Sequence, residues 1–153
     1  MSEPESYVLT KLVKRLAILL HQNIDLWLKP YDLARTQYVI LHALHEPGQL
    51  PTQELLEKLQ VEPATLSGLL DTLESKGLVA RVEQAKDKRR KDVRLTAAGR
   101  KLLVEIPPPG PVMEQAMLRG IGPHDAMRVR EAAEIMLENL EETLRKQESR
   151  ERA

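Results

Sequence analysis

The order of patterns between residues 60 and 101 constrains the fold more than any other feature of the chain. A helix is predicted from Pro63, a residue favoured in the first helical turn because its missing N–H has no partner there. Gly77 is expected to end this helix, and residues 79–84 and 92–95 are predicted strands around a basic tip. The leucines of the helix share one face at the i, i+3, i+4, i+7 spacing: Leu66, Leu69, Leu70 and Leu73.

A second short helix precedes this one, and the two are joined only by residues 60–62. Thr52 is the predicted N-cap of that earlier helix, and Glu62 is a weak N-cap for the helix that follows. Two short helices at this spacing match the helix-turn-helix pattern, and the hairpin that follows resembles a wing. Such a helix fits the major groove of a duplex, and a cationic ribbon reaches the neighbouring backbone or minor groove.

Composition favours one mainly α-helical unit over residues 1–153. The chain has 42% hydrophobic and 30% charged residues, no Phe and no Cys. These values exclude a disordered chain, disulfides and thiolate metal sites, and they fit a cytoplasmic location. The apolar stretch 8–28 is interrupted by charges at helical spacing, so it predicts an amphipathic helix and neither a signal peptide nor a membrane span.

The net charge of zero conceals a polarised distribution. From Lys76 to Lys101 there are ten Lys and Arg against three acidic residues, a balance of +7, whereas Glu131 to Ala153 carries four basic and seven acidic residues, a balance of −3. The charge of a segment, and not the net charge of the whole chain, decides whether that segment attracts phosphate. Residues 76–101 are therefore a candidate nucleic-acid contact.

Helices are predicted on both sides of this region. A first helix spans about 7–28, a second runs from Thr36 as N-cap to about residue 45, and Thr96 is the expected N-cap of another that breaks at Pro107. A rigid elbow is expected from Pro107 to Pro111, followed by helices over about 112–118 and 123–146. The full apolar stripes of the terminal helices predict a homodimer, with 5–30 and 101–148 as dimerisation regions and 32–100 as the winged helix.

Three motifs at the expected spacing resemble the MarR family of bacterial transcriptional regulators. They are the E-S-K-G-L-V turn from Glu74 to Val79, the D-x-R-R tip at Asp87 to Arg90, and the L-T-x-x-G closure from Leu95 to Gly99. The resemblance implies a homodimer on a pseudopalindromic operator. It also implies release of the DNA by a small, often aromatic and acidic, ligand. Gly68 and Thr72 stand where many members carry Arg or another long polar side chain, which implies sparse base readout by this helix.

Candidate DNA-binding residues lie on the helix and on the hairpin. Arg89 and Arg90 beside Asp87 suggest that one guanidinium shapes the loop and the other contacts phosphate or a narrow minor groove. The alternative is a solvated charge run that keeps an edge hairpin soluble. The full set is Ala64, Thr65, Ser67, Gly68, Thr72, Lys86, Lys88, Arg89, Arg90 and Lys91.

Other features allow weaker interpretations. Trp27, Tyr31 and Tyr38 flank the turn after the first helix, where they line an effector pocket or, the favoured interpretation, pack in the core. His42 and His45 have a spacing that can share a metal, but ordinary hydrogen-bonded imidazoles are favoured, and no metal or cofactor is predicted.

The pattern leaves two functions open. No nucleophile elbow or Gly-rich phosphate loop appears, so no enzyme is predicted. The first interpretation is a DNA-binding repressor or activator. The second is a winged helix that recognises an acidic protein partner and does not bind DNA.

Overall fold

The computed structural model describes residues 8–84 and 87–152, without the side chains of residues 84–90. These residues form two compact units, the first ending at Pro109 and the second beginning at Gly110. The elements are α1 (Val8–Leu28), a 3-10 turn (Lys29–Tyr31), α2 (Arg35–Ala43), β1 (Gln49–Pro51), α3 (Thr52–Leu59), α4 (Pro63–Ser75), β2 (Val79–Gln84), β3 (Asp87–Leu95), α5 (Ala97–Glu105), α6 (Pro109–Met117) and α7 (Pro123–Glu151). The mainly helical winged helix-turn-helix fold is confirmed.

The core of the first unit is aliphatic and lies between α2, α3, α4 and the sheet. The leucine stripe of α4 points into it, with Leu66, Leu70 and Leu73 almost fully buried and Leu69 partly buried. Burying each such side chain contributes roughly 1.5–3 kcal/mol relative to leaving it in water. The stripe therefore fixes which side of α4 faces solvent.

Three antiparallel strands form the sheet, in the order β1-β3-β2. Strand β1 was not predicted, because three residues ending in Pro51 carry too little alternation to indicate a strand. Leu50 lies opposite Val93 in the register, and the side-chain amide of Gln49 donates to the Asp92 carboxylate at 2.7 Å. This bond gives the buried Asp92 side chain a partner.

The junction between α4, the hairpin and α5 is closely packed. Gly77 has φ +70°, and the amides of Gly77 and Leu78 donate to the carbonyls of Glu74 and Leu73, which ends α4 in a Schellman motif. The Thr96 hydroxyl accepts from the Gly99 amide at 3.0 Å and lies 2.7 and 3.0 Å from the carbonyl oxygens of Gly77 and Leu78. Thr96 thus caps α5, as predicted, and also ties it to the end of α4.

Two predicted helix caps are wrong. Helix α2 begins at Arg35, before Thr36, and the Ala34 amide donates to the side chain of Gln37 at 3.1 Å. Pro51 precedes the first residue of α3, and the hydroxyl of Thr52 donates to the Lys91 carbonyl at 2.7 Å. In both cases a tertiary or side-chain contact replaces the local cap that the residue type suggested.

Several predicted boundaries also move. Strand β3 begins at Asp87 and not at residue 92, so most of the basic tip lies in a strand. Helix α6 begins at Pro109, earlier than expected, because Pro at the start of a helix loses no hydrogen bond. Helix α7 continues past residue 146 to Glu151.

The second unit consists of α7 and of α6 without its first residue. Arg130 of α7 donates to the Glu114 carboxylate of α6 at 2.8 Å, which ties the two helices together. No side chain of α7 is buried, and its apolar stripe is exposed along most of its 29 residues. Across residues 8–84 and 87–152, no helix is long and apolar enough to cross a membrane.

We expect Gly99→Ala to destabilise the protein by about 2 kcal/mol or more, because the added methyl overpacks the junction. A Cβ at this position would lie 2.2 Å from the Leu78 carbonyl oxygen and 2.8 Å from Leu95 Cδ1. Urea unfolding measures the effect. Gly68→Ala is the matched control, since its Cβ meets nothing within 4 Å, and it should stabilise α4 by roughly 0.5–1 kcal/mol. Equal unfolding midpoints for wild type and Gly99→Ala would contradict the tight junction.

Candidate nucleic-acid interface

The outer face of α4 presents small and polar side chains to solvent. The buried leucines on the opposite side set this orientation, and helical geometry places the remaining positions outward. Thr72 donates its hydroxyl hydrogen to the Gly68 carbonyl at 3.0 Å, so its oxygen is left as an acceptor. All five helix residues predicted to contact DNA are exposed: Ala64, Thr65, Ser67, Gly68 and Thr72.

Gly68 leaves an open notch in the middle of this face. Apart from the two neighbouring residues and the backbone of α4 itself, no atom lies within 4 Å of the position that a Cβ would occupy, so packing within the chain does not require glycine. Glycine in a helix interior costs roughly 1 kcal/mol relative to alanine. The residue therefore weakens α4 slightly and allows another backbone to approach closely.

The basic residues of the hairpin lie mainly in β3. Lys88, Arg89, Arg90 and Lys91 fall in this strand, whereas Lys86 lies outside the described residues. The side chains of Lys88, Arg89 and Arg90 also lie outside the description, so their division of roles stays a prediction. Lys91 is exposed.

Arg81 of β2 binds the side of α4, a contact that the sequence analysis missed. Its guanidinium lies 2.7 Å from the Asp71 carboxylate and 2.8 Å from that of Glu74, and it donates to the Ser67 carbonyl at 3.2 Å. Its backbone amide also donates to Glu74 at 3.1 Å. The available signal was a lone Arg among the apolar residues at the start of β2, with two carboxylates on the helix before it.

These contacts shift the pKa of Glu74 and that of Arg81. The hydrogen bond from the Arg81 backbone amide, followed by that from its guanidinium, lowers the pKa of Glu74. Burial acts to lower the pKa of Arg81, but the hydrogen bonds and charges of Asp71 and Glu74 outweigh it, so that pKa is raised. Glu74 and Arg81 are therefore both ionised at neutral pH.

The C-terminal end of α4 is tied to the turn after α1. Lys76 Nζ lies 3.0 Å from the Asp32 carboxylate and also donates to the Asp32 carbonyl. Asp32 has φ 52°, a left-handed conformation that Asp tolerates better than most residues. The ion pair connects α4 to the region where the effector site was predicted.

The three aromatic residues of the predicted effector site all pack against the core as partly buried side chains. Trp27 Nε1 donates to the Pro107 carbonyl at 3.0 Å, Tyr38 stacks obliquely on His42 at 5.9 Å, and burial raises the pKa of Tyr38. A nearby cavity of about 440 Å³ is lined by other residues: Asp25, Leu26, Lys29, Asp32, Leu33, Ala34, Gln37 and Lys76. Trp27, Tyr31 and Tyr38 do not line it.

His42 and His45 do not form part of a metal-binding cluster. Among the side chains that the structure describes, no three His, Cys, Asp or Glu residues are grouped so as to hold a metal ion. Nδ1 of His45 is buried without a hydrogen-bond partner.

Comparison with known proteins identifies the fold and its family. Residues 33–91 match the model of the MarR family. MepR from Staphylococcus aureus, solved as a DNA complex, is 27% identical with a TM-score of 0.75, covering 90% of this chain and 99% of that one. A mutant of MarR from E. coli complexed with operator DNA is 23% identical with a TM-score of 0.76, covering 89% and 99%.

A third similar structure is BpsR from Bordetella bronchiseptica, whose DNA binding is regulated by 6-hydroxynicotinic acid. It is 23% identical with a TM-score of 0.71, covering 84% of this chain and 97% of that one. At 23% identity, the similarity of this chain to BpsR and to the E. coli protein shows a shared fold.

Fold and surface together define a winged-helix protein with a small, polar helix face beside a cationic strand. Residues 33–91, which hold most of the winged helix, match the MarR family, and the similar solved structures include transcriptional regulators of that family. The chain is a DNA-binding transcriptional regulator, and the comparisons do not support the alternative of a winged helix that recognises only protein.

Proposed function

We propose that the chain binds an inverted-repeat operator with α4 in the major groove and the β2–β3 hairpin at the adjacent backbone. The observation that carries this proposal is the exposed face of α4, where Thr65, Ser67 and Thr72 offer hydroxyls and Gly68 allows close approach. The hairpin that holds Lys91 in its second strand follows α4 directly in the same unit. MepR and a mutant of E. coli MarR, which are similar in fold, were both solved in complex with DNA, and this supports DNA as the partner.

The hairpin residues Lys86, Lys88, Arg89, Arg90 and Lys91 supply the phosphate contacts in this proposal. Neutralising phosphates releases counterions, so affinity should fall steeply as salt rises. The small side chains on α4 limit direct base readout. Operator choice then depends partly on the shape of the duplex.

We also propose a homodimer held by α1 and α7. Leu9, Leu12, Leu16 and Leu19 of α1 are each about half exposed, and α7 exposes Leu137, Leu140 and Leu144. An exposed apolar surface of this extent on a soluble chain is typical of an interaction site. A two-fold dimer matches the symmetry of an inverted repeat.

A small aromatic acid is the proposed effector, bound near Trp27, Tyr31 and Tyr38. Regulation of BpsR by 6-hydroxynicotinic acid supports this class of ligand. The Lys76–Asp32 ion pair joins the turn after α1 to the end of α4, so a ligand that moves this turn would also move α4. Repression and activation both fit this scheme, which operates in the cytoplasm and includes no metal, cofactor or catalytic step.

Arg89→Ala and Arg90→Ala are each expected to weaken operator binding by at least about 1 kcal/mol, because each removes a phosphate or minor-groove contact. The duplex is first selected from a random pool on the wild-type protein, where we expect an inverted repeat. Affinity is measured at fixed salt. Lys146→Ala removes one cation from α7 and serves as the control. Unchanged affinity for both arginine variants would reject the role of the hairpin.

Leu140→Glu is expected to weaken the homodimer at least about tenfold, because it places a charge in the apolar contact. Light scattering over a concentration series measures the mass. Ile135→Glu is the matched control, since it lies on the same helix but roughly 140° away from Leu140, with a similar exposure of 58% against 68%. Equal behaviour of the two variants would contradict an interface on the Leu140 face.

Fluorescence of the single Trp27 should change saturably when 6-hydroxynicotinic acid or benzoate is added, because an aromatic acid bound nearby alters its surroundings. Tyr31→Ala should weaken that binding about two- to tenfold, the range of one aromatic contact. Cyclohexanecarboxylate, which has the charge without the aromatic ring, is the control ligand. A response that rises linearly for all three acids would exclude a specific site beside these aromatics.

A further inference from the structure

Helix α4 carries two carboxylates beside the face proposed to approach DNA. Asp71 directly precedes Thr72, and its side chain is 63% exposed, while that of Glu74 is 42% exposed. Ser67, Asp71 and Glu74 follow one another at the i, i+4, i+7 spacing, so they share a strip of the helix. A carboxylate brought close to phosphate is repelled, and this repulsion weakens binding.

Arg81 covers these carboxylates from the hairpin side. Each of its terminal nitrogens reaches one of them, at 2.7 Å for Asp71 and 2.8 Å for Glu74, and the side chain is only 24% exposed. The donor that binds Asp71 also reaches the Ser67 carbonyl. The guanidinium is therefore directed at α4 and not at solvent.

The other described cations of this segment have different partners or face outward. Lys76 pairs with Asp32, and Lys101 lies 3.9 Å from Glu105 in its own helix. Lys91 and Arg94 are exposed. Ser67, Asp71, Arg81 and Lys91 line one depression of about 530 Å³ between α3, α4 and the sheet. Among the described side chains of residues 76–101, Arg81 is the cation that pairs with the two carboxylates of α4, Asp71 and Glu74.

We propose that Arg81 is the internal counter-ion of α4, a positioning residue that offsets one of the two negative charges of Asp71 and Glu74 so that the helix can approach a polyanion. The inference rests on the proposed function, since it needs α4 to lie against DNA. Arg81 itself makes no phosphate contact in this arrangement. Arg81 lies in the cationic segment, but in this proposal it raises DNA affinity by offsetting negative charge on α4 and not by contacting the DNA.

The test compares four proteins on the selected operator duplex: wild type, Arg81→Ala, the double variant Asp71→Asn with Glu74→Gln, and the triple variant that combines all three changes. Dissociation constants are measured over a salt series. Circular dichroism at the assay temperature establishes that each protein is folded. Arg81→Ala and the triple variant both lack the ion pairs, so a purely structural role would weaken both equally.

We expect Arg81→Ala to bind about tenfold more weakly, because it leaves two uncompensated carboxylates near phosphate. The triple variant should return to within about threefold of wild type, and the double variant should bind at least as tightly as wild type, since its Arg81 charge is then unopposed. Wild-type affinity for Arg81→Ala, or a triple variant as weak as Arg81→Ala, would overturn the proposal. So would a fall of about 1 in the salt slope of Arg81→Ala, which identifies a lost phosphate contact.

Arg81→Lys keeps the test informative if Arg81→Ala does not fold. Lysine retains the charge but lacks the planar fork that reaches two carboxylates, so the melting temperature should fall while affinity stays within about threefold of wild type. A folded Arg81→Lys protein with a tenfold loss of affinity would contradict the charge argument. Failure of wild type to bind any selected duplex would instead overturn the proposed function, and this inference with it.

Discussion

The winged-helix region depends on the contact between Thr96, Gly99 and the carbonyls that follow α4. Gly77 ends the helix in a left-handed conformation, the Leu78 carbonyl turns toward α5, and Gly99 has no side chain to obstruct it. The Thr96 hydroxyl links the two sides, because it donates to the Gly77 carbonyl and accepts from the Gly99 amide. Because the hairpin leaves and returns at the same junction, its position beside α4 is set here and not at its tip.

Electrostatic roles are divided among residues that look equivalent in the sequence. Arg81 and Lys91 both belong to the basic segment, yet Arg81 binds carboxylates of α4 and Lys91 is exposed. Counting charge along the chain therefore overestimates the charge available to an outside partner. A cation in this segment contributes to attraction only where the fold leaves it without an internal carboxylate.

The terminal helices pose the opposite problem, because their apolar stripes exceed what a single chain buries. Among the side chains of α1, only Leu28 is fully buried, and α7 has none. A long helix gains most of its stability from packing an amphipathic face, since propensity alone is marginal in water. In the proposed homodimer, a second copy would supply such a surface for both helices, so dimerisation and the stability of these helices would be linked.

Patterns of local origin were predictable from the sequence. The leucine stripe of α4, Pro63 at its start, Gly77 at its end and Thr96 as the cap of α5 each depend on the geometry of a few consecutive residues, and each is confirmed. The exposed face of α4 follows from that stripe, because a helix that buries one side must present the other.

What depends on residues distant in sequence was decided only by the tertiary structure. Strand β1 forms because its three residues pair with β3. Thr52 donates to the Lys91 carbonyl instead of capping its helix. Arg81 meets Asp71 and Glu74 only after the turn at Gly77 folds β2 back toward α4. The sequence by itself determined that the helices exist, which of their faces are apolar, and the resemblance to the MarR family. The pairing of charges and the third strand required the chain to fold, since local spacing carries no information about which distant groups meet.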